Sequence, residues 1–180
     1  MAGTATTRHI ANILNAFARS RVWDEALFRR LSMIVRTMQP VATPAKDIAY
    51  IVNAYSQVLL DTSISMICLE IRQDSEYLDT SHISQATTRV GSTLRDTSLF
   101  LHMARLALLK SDSELTARNV ASIVNAFARA GVWDERIFKK MSSSLRRMPK
   151  ESVEMRDIAR IVHAFSLAQV ISCELNHFVY

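Results

Sequence analysis

The sequence predicts an all-α fold, an α-solenoid of about five helix-turn-helix repeats of about 37 residues each. Three observations predict it: glycine and proline are scarce, apolar residues follow a helical spacing, and the chain repeats itself. Three Gly and three Pro in 180 residues are too few for the closely spaced turns of sheets and sandwiches. The glycine motifs of Rossmann and P-loop phosphate sites are also absent from the sequence, which excludes those two classes.

The internal repeat is the most informative feature. Residues 8–38 and 118–148 align without a gap at an offset of 110 residues and share N-A-F-A-R and V-W-D-E. Further copies begin at Asp47 and Asp157, and a degenerate one begins at His82. The landmark apolar residues, separated by 38, 35, 37 and 38 positions, are Ile10, Ile48, Ile83, Val120 and Ile158. We therefore divide a single domain into units at about 6–40, 41–78, 79–112, 113–149 and 150–180, the third degenerate and the fifth truncated.

Each unit is predicted to contain two helices. In the first unit the first helix has one apolar face, at Ile10, Ile13, Leu14 and Phe17, which are spaced i, i+3, i+4 and i+7. Asp24 precedes the second helix and is expected to accept the free N–H groups of its first turn. The residues expected to play the same part in later units are Asp61, Asp96 and Asp134.

Trp23 and Trp133 stand immediately before two of these caps. One interpretation makes them platforms on which nucleic-acid bases stack. The other is a hydrophobic staple, in which the residue before the cap packs back on the helix. We favour the staple, because the second and third units have no Trp at this place. Alanines flank the apolar face of each first helix, so these helices can pack closely against one another, as in an α-solenoid.

The remaining positions of each first helix form a narrow solvent face, which we call the first-helix stripe. In the first unit these positions are spaced 4, 3 and 4, and no unit has an acid at them. Arg and Lys can neutralise phosphates, and Asn and Gln can hydrogen-bond base edges. An ordinary solvated face is the alternative, but such faces usually mix both signs of charge, so we favour an anionic partner. The predicted nucleic-acid-binding residues are Arg8, Asn12, Asn15, Arg19, Lys46, Asn53, Gln57, Arg118, Asn125, Arg129, Arg156, Arg160 and His163.

These motifs resemble organellar helical-repeat families. From Asn119 to Met141 the chain is similar to pentatricopeptide repeats. The longer period and the N-A-F-A-R pattern are closer to the heptatricopeptide and octotricopeptide classes, which occur in mitochondrial and plastid proteins, often beside a RAP domain. No RAP-like module is visible, and the resemblance is poor in the third unit. The resemblance implies an α-solenoid that binds organellar RNA through its first helices. It also implies a role either in RNA processing and stability or within a mitochondrial ribosome. The implied location is mitochondrial.

Motifs for catalysis are missing from the sequence. The histidines form no HExxH or Cys/His cluster, and no GxSxG or pair of carboxylates stands out. Cys68 and Cys173 are far apart in apolar runs, which favours a reducing compartment. No apolar run reaches the length needed to span a bilayer. We therefore expect no enzyme activity, cofactor, metal, small-molecule substrate or membrane insertion.

The sequence leaves three functions open. The first is a structural subunit of a mitochondrial ribosome that clamps rRNA through the stripe. The second is a protein-binding adaptor or scaffold in another organellar complex, and the third is an organellar RNA processing or stability factor. Because apolar residues stand close to both termini, we also expect either that neighbouring proteins cover both ends of the stack or that the chain is part of a longer product. Residues 1–22 are basic in the manner of a mitochondrial presequence, but the same pattern recurs far inside the chain, so we favour a repeat helix.

Overall fold

A computed structural model describes residues 6–22, 24–73 and 96–177, with the helical backbone alone for 62–73 and 169–177. The described residues are all-helical and contain no strand, which confirms the predicted all-α class. The α-helices are α1 (Thr7–Arg19), α2 (Glu25–Val35), α3 (Ala45–Gln73), α4 (Thr97–Leu108), α5 (Ala117–Arg129), α6 (Glu135–Arg147) and α7 (Met155–His177). Short 3-10 turns at Asp112–Glu114 and Lys150–Ser152 precede α5 and α7.

The helices form two layers around one apolar core. The most extensive contacts join α1 to α3, α3 to α5 and α5 to α7, so the first helices lie side by side in one layer. The second layer contains α2, α4 and α6; α2 contacts α1, α4 contacts α3 and α6, and α6 contacts α5. The described chain thus stacks three helix pairs, α1–α2, α3–α4 and α5–α6, followed by α7.

Three aromatic pairs recur at equivalent places in this stack. Phe28 and Tyr55 meet edge to face with ring centroids 5.3 Å apart. Phe100 and Phe127 do so at 5.2 Å, and Phe138 and Phe165 at 5.3 Å. Each pair joins the second helix of one helix pair to the first helix of the next. The repetition shows that the stack follows one packing rule, in the geometry that aromatic quadrupoles favour.

The ends of α1 and α5 repeat the same hydrogen bonds at the 110-residue offset. The side chain of Thr6 accepts from the His9 N–H, and that of Thr116 accepts from the Asn119 N–H. At the C-termini, Val22 N–H donates to Phe17 O at 3.1 Å and Val132 N–H donates to Phe127 O at 3.0 Å. These are the long bonds of a Schellman motif, which satisfies carbonyls at a helix end.

The second-helix caps agree with the sequence in three units. Asp24, Asp96 and Asp134 each accept a backbone N–H of the first turn that follows, at 2.9, 2.9 and 3.0 Å. These three predictions are confirmed. Trp133 packs on Phe138, the fourth residue of α6, with centroids 4.6 Å apart, which confirms the staple there. Trp23 lies outside the described residues.

The second unit departs from the prediction. The repeat predicts that Asp61 starts a new helix, but α3 continues through it as a single helix from Ala45 to Gln73. No Gly or Pro interrupts that segment, so nothing in it forces the backbone out of the helix. In addition, α3 contacts α5 directly. The first helix of the third unit falls within residues 74–95, which lie outside the described residues, and the division into five units stays a prediction.

Candidate nucleic-acid interface

The first-helix stripe lies on the layer formed by α1, α3, α5 and α7. Its predicted residues differ in how much surface they offer. The exposed ones are Asn12, Arg19, Lys46, Arg118, Arg156 and His163. The half-buried ones are Arg8, Asn15, Asn53, Gln57, Arg129 and Arg160. Asn125 is the most enclosed, at 9% exposure, because it lies where α5 packs between neighbouring helices.

Two of the predicted arginines form ion pairs between neighbouring first helices. Arg8 on α1 lies 2.9 Å from a carboxylate oxygen of Asp47 on α3. Asp47 is 1% exposed and also accepts a hydrogen bond from the Thr7 hydroxyl. Arg118, the equivalent of Arg8, lies 3.4 Å from Glu154, immediately before α7. These two arginines therefore contribute to holding adjacent helices together at one edge of the stripe.

Gln57 also has a role inside the protein. Its side-chain amide donates a hydrogen bond to the carbonyl of Ala18 at 3.2 Å, near the C-terminus of α1. Carbonyls in the last turn of a helix have no partner within the helix, so a neighbouring amide is a common way to satisfy them. This contact links α3 to α1 at the opposite end of the stripe from Arg8 and Asp47.

Arg129 and Arg160 are two half-buried cations of the stripe, on the adjacent and closely packed helices α5 and α7. Burial is the largest cause of a lowered pKa at Arg129. The attraction of Asp61 on α3 opposes this shift, and the repulsion of Arg160 adds to it less strongly than Asp61 opposes it. Guanidinium stays protonated in proteins, so both side chains keep their positive charge.

Three further cations of the stripe have no ion pair among the described side chains: Arg19, Lys46 and Arg156. The ammonium of Lys46 lies over the Tyr50 ring, 5.7 Å from its centroid, which is within the range of a cation–π contact. On α1, Asn12, Asn15 and Arg19 line a shallow, open depression. Donors for phosphates and for base edges are therefore present side by side.

Acids approach the stripe in the folded protein, although none occupies its positions in the sequence. Asp47, Asp61 and Glu154 come from neighbouring helices and linkers and lie near Arg8, Arg129 and Arg118 respectively. The expectation of a face of one sign therefore needs correction at these three places. Sequence spacing could not reveal the acids, because each is brought in by the packing of another helix.

No family model matches the chain, and neither a curated protein nor a solved structure does. The part of the chain that the structure describes contains no group of three or more His, Cys, Asp or Glu side chains that could hold a metal ion. Within the same ranges, no helix combines the length and hydropathy needed to cross a membrane.

Proposed function

We propose that the chain is a non-catalytic RNA-binding helical-repeat protein that holds the RNA backbone on the first-helix stripe. The observation that carries the proposal is a row of cations on one layer that form no ion pair with a side chain that the structure describes. These cations are Arg19, Lys46, Arg129, Arg156 and Arg160. Phosphates spaced along a strand are the common biological ligand for such a row of cations, and nearby amides can contact bases.

The second layer uses its charges differently, which supports the choice of face. On α6, Lys140 and Arg147 both pair with Asp112, at 2.9 and 2.6 Å. Other cations at the starts of second helices pair with acids of their own helix or cap, as in Arg29–Glu25, Arg136–Asp134 and Lys139–Glu135. These pairs leave fewer free cations on the second layer, where Arg30, Arg105 and Arg146 are exposed without an ion pair to a described side chain. Unlike the cations of the stripe, these three do not share a layer of closely packed neighbouring helices.

We further propose a structural role on rRNA in a mitochondrial ribosome, which rests on the resemblance to organellar repeat families. The N-A-F or N-A-Y and H-A-F motifs of the stacked first helices are separated by 38, 72 and 38 residues. This irregular spacing disfavours a register of one base for each unit, which a sequence-specific processing factor would need. An rRNA clamp has no such requirement. A protein-binding scaffold is the second candidate, favoured by exposed apolar residues on α7 such as Met155 and Val162.

The test compares two double variants of the full chain in binding a fluorescent, structured RNA at several salt concentrations. In the first, Arg129→Gln and Arg160→Gln neutralise the stripe. In the second, Arg30→Gln and Arg105→Gln remove the same amount of positive charge, but from exposed positions of α2 and α4. The stripe variant should bind more weakly, and its log–log salt slope should fall by about 0.7 for each phosphate that the protein no longer neutralises.

The control variant should keep both the affinity and most of the slope of the unmodified chain. Circular dichroism melting checks that both variants are folded. Equal losses of affinity in the two variants would mean that general charge, and not the stripe, attracts RNA. Absence of RNA binding by the unmodified chain at physiological salt, together with retention of a protein partner, would favour the scaffold function.

A further inference from the structure

We propose that the groove between α6 and α7 is a docking site for an amphipathic helix of a partner protein, with the chemistry of this chain's own α4. The groove contains a cavity of about 300 Å³. Its floor is Val120 of α5, and its walls include Met141 and Leu145 of α6 and Val162 and Phe165 of α7. This site is distinct from the first-helix stripe and does not depend on RNA binding.

An equivalent groove exists within the molecule and is filled. The apolar lining residues of the α6–α7 groove have counterparts 110 positions earlier, in α1, α2 and α3; the counterparts are Ile10, Leu31, Val35, Ile51, Val52 and Tyr55. All of them are buried. Helix α4 packs against α3, and α5 packs on the far side of it. Val52 is 0% exposed, whereas its counterpart Val162 is 60% exposed, so the second groove lacks the cover that the first one has.

Polar anchors are repeated as well as the apolar walls. In the filled groove the Ser32 hydroxyl donates to the carboxylate of Asp96, the N-cap of α4. Arg36 donates from Nη1 to the Ser98 hydroxyl at 2.8 Å. The counterparts of Ser32 and Arg36 are Ser142 and Arg146. Neither has a hydrogen-bond or ion-pair partner in a side chain that the structure describes.

Ser142 and Arg146 indicate which polar residues a helix bound in this groove would need. A helix that begins with an Asp cap would place its carboxylate on Ser142, as Asp96 does on Ser32. A Ser two residues after the cap would meet Arg146, in the way that Ser98 meets Arg36. The buried face of α4, which such a helix would copy, consists of Leu99, Phe100, Met103, Ala104, Leu106 and Ala107. A folded second copy of this chain cannot supply its own α4, because the apolar face of that helix is already buried in its own stack.

The experiment measures binding of a fluorescent peptide with the sequence of residues 96–110 to the full chain by anisotropy. Short helices are marginal in water, so a hydrocarbon link between positions 101 and 105 holds the peptide helical. Both positions are exposed in α4, so the link does not touch the groove. Binding should be saturable, and Val162→Glu should weaken it at least about tenfold, since a carboxylate would face apolar surface. Arg146→Glu, at an exposed position, should weaken it too.

The matched control is Met33→Glu, which places the same charge on an exposed apolar position of α2 and should leave binding unchanged. Changing the peptide residue Asp96 to Ala should weaken binding to the unmodified chain but not to Ser142→Ala, because the two changes remove the same hydrogen bond. Absence of binding would overturn the proposal, and so would binding that Val162→Glu does not affect. A dimer in sedimentation that Val162→Glu dissociates would also overturn it, because the occupant would then be a second copy.

Discussion

Single residues show both what the repeat preserves and what it varies. Gly131 follows α5 with φ of 62°, in the left-handed region where glycine has no steric penalty. Its counterpart 110 positions earlier, Arg21, follows α1 with φ of 53°. The same backbone turn is therefore built once with the favoured residue and once with a residue whose Cβ makes it costly. The Schellman bonds on either side hold Arg21 in this conformation.

Exchanging these residue types should change stability in opposite directions. Arg21→Gly should raise the free energy of unfolding by about 1 kcal/mol, because it removes the steric cost of the left-handed conformation. Gly131→Arg should lower it by a similar amount. Urea unfolding followed by circular dichroism measures both. If neither variant differed from the unmodified chain, the positive φ at these turns would carry no energetic weight.

Among the acids that the structure describes, Asp112 has the pKa that its surroundings lower the most. Hydrogen bonds from Ser144, Lys140 and Arg147 hold the pKa of its carboxyl well below the ordinary range. Such a group contributes stability above its unfolded pKa of about 4, and that contribution is lost as the pH falls toward the lowered folded pKa. The Asp112 carboxylate thereby stabilises the packing of α6 against the 3-10 turn that precedes α5.

Asp112→Asn should therefore lower the melting temperature at neutral pH. The difference from the unmodified chain should begin to shrink below about pH 5, where the carboxyl becomes protonated in the unfolded state first. It should go on shrinking as the pH falls toward the lowered folded pKa. Glu151→Gln, at an exposed acid with no ion pair in the described part of the chain, is the control and should show little difference at any pH. If the difference in melting temperature between Asp112→Asn and the unmodified chain did not change with pH, the proposed charge-assisted contacts would be contradicted.

At the scale of the elements, the sequence predicts the helix starts better than their continuity. Asp24, Asp96 and Asp134 act as caps because a carboxylate serves free N–H groups wherever the backbone is already turning. Asp61 occupies the same place in the repeat but lies inside α3. The absence of Gly does not decide whether the chain turns there, since the turn after α1 is built with Arg21. Tertiary packing has to decide it, and that is not visible in a cap residue alone.

The contact between α2 and α3 provides a direct test of this packing. The Tyr55 hydroxyl donates to the Phe28 carbonyl at 2.7 Å, and burial raises the pKa of this phenol. Phe165 occupies the equivalent position and keeps the ring contact without the hydroxyl. Tyr55→Phe should therefore leave the fold intact and lower the free energy of unfolding by about 1 kcal/mol, the usual net contribution of one hydrogen bond.

Chemical denaturation is the appropriate measurement for Tyr55→Phe, and Tyr50→Phe, at a half-buried ring on the same helix, is the control. A loss of stability several times larger than expected would mean that the hydroxyl is part of a wider network. An unchanged free energy of unfolding would mean that the hydrogen bond from Tyr55 adds nothing to the packing of its ring on Phe28.

At the scale of the whole molecule, the sequence predicts those parts of the interface that depend on a single helix, and not those that depend on how the helices stack. Most of the stripe follows from the 3.6-residue period, which determines the positions of each first helix that face away from that helix's apolar side. Asn125 is the exception, because neighbouring helices enclose it. The pairing of Arg8 with Asp47 does not follow from the period, since it depends on α1 and α3 lying side by side. The direct contact of α3 with α5 is equally invisible in a repeat that suggests an intervening helix.

The two proposed surfaces share helix α7 but use different residues of it, so they can be separated experimentally. The stripe runs over α1, α3, α5 and α7, whereas the docking groove lies between α6 and α7. Val162→Glu should leave RNA binding unchanged, and the Arg129→Gln, Arg160→Gln variant should leave peptide binding unchanged. Such independence would describe a protein that holds RNA on one face and a partner helix at another place.

Ultraviolet crosslinking of the full chain to bound RNA, with mass spectrometry of the linked peptides, tests the central claim most directly. The stripe predicts crosslinks on the first helices, concentrated near Arg19, Lys46, Arg129 and Arg160. Few should occur on the outer faces of α2, α4 and α6. Crosslinks concentrated on those second-layer helices, or spread evenly over both layers, would contradict RNA binding by the stripe.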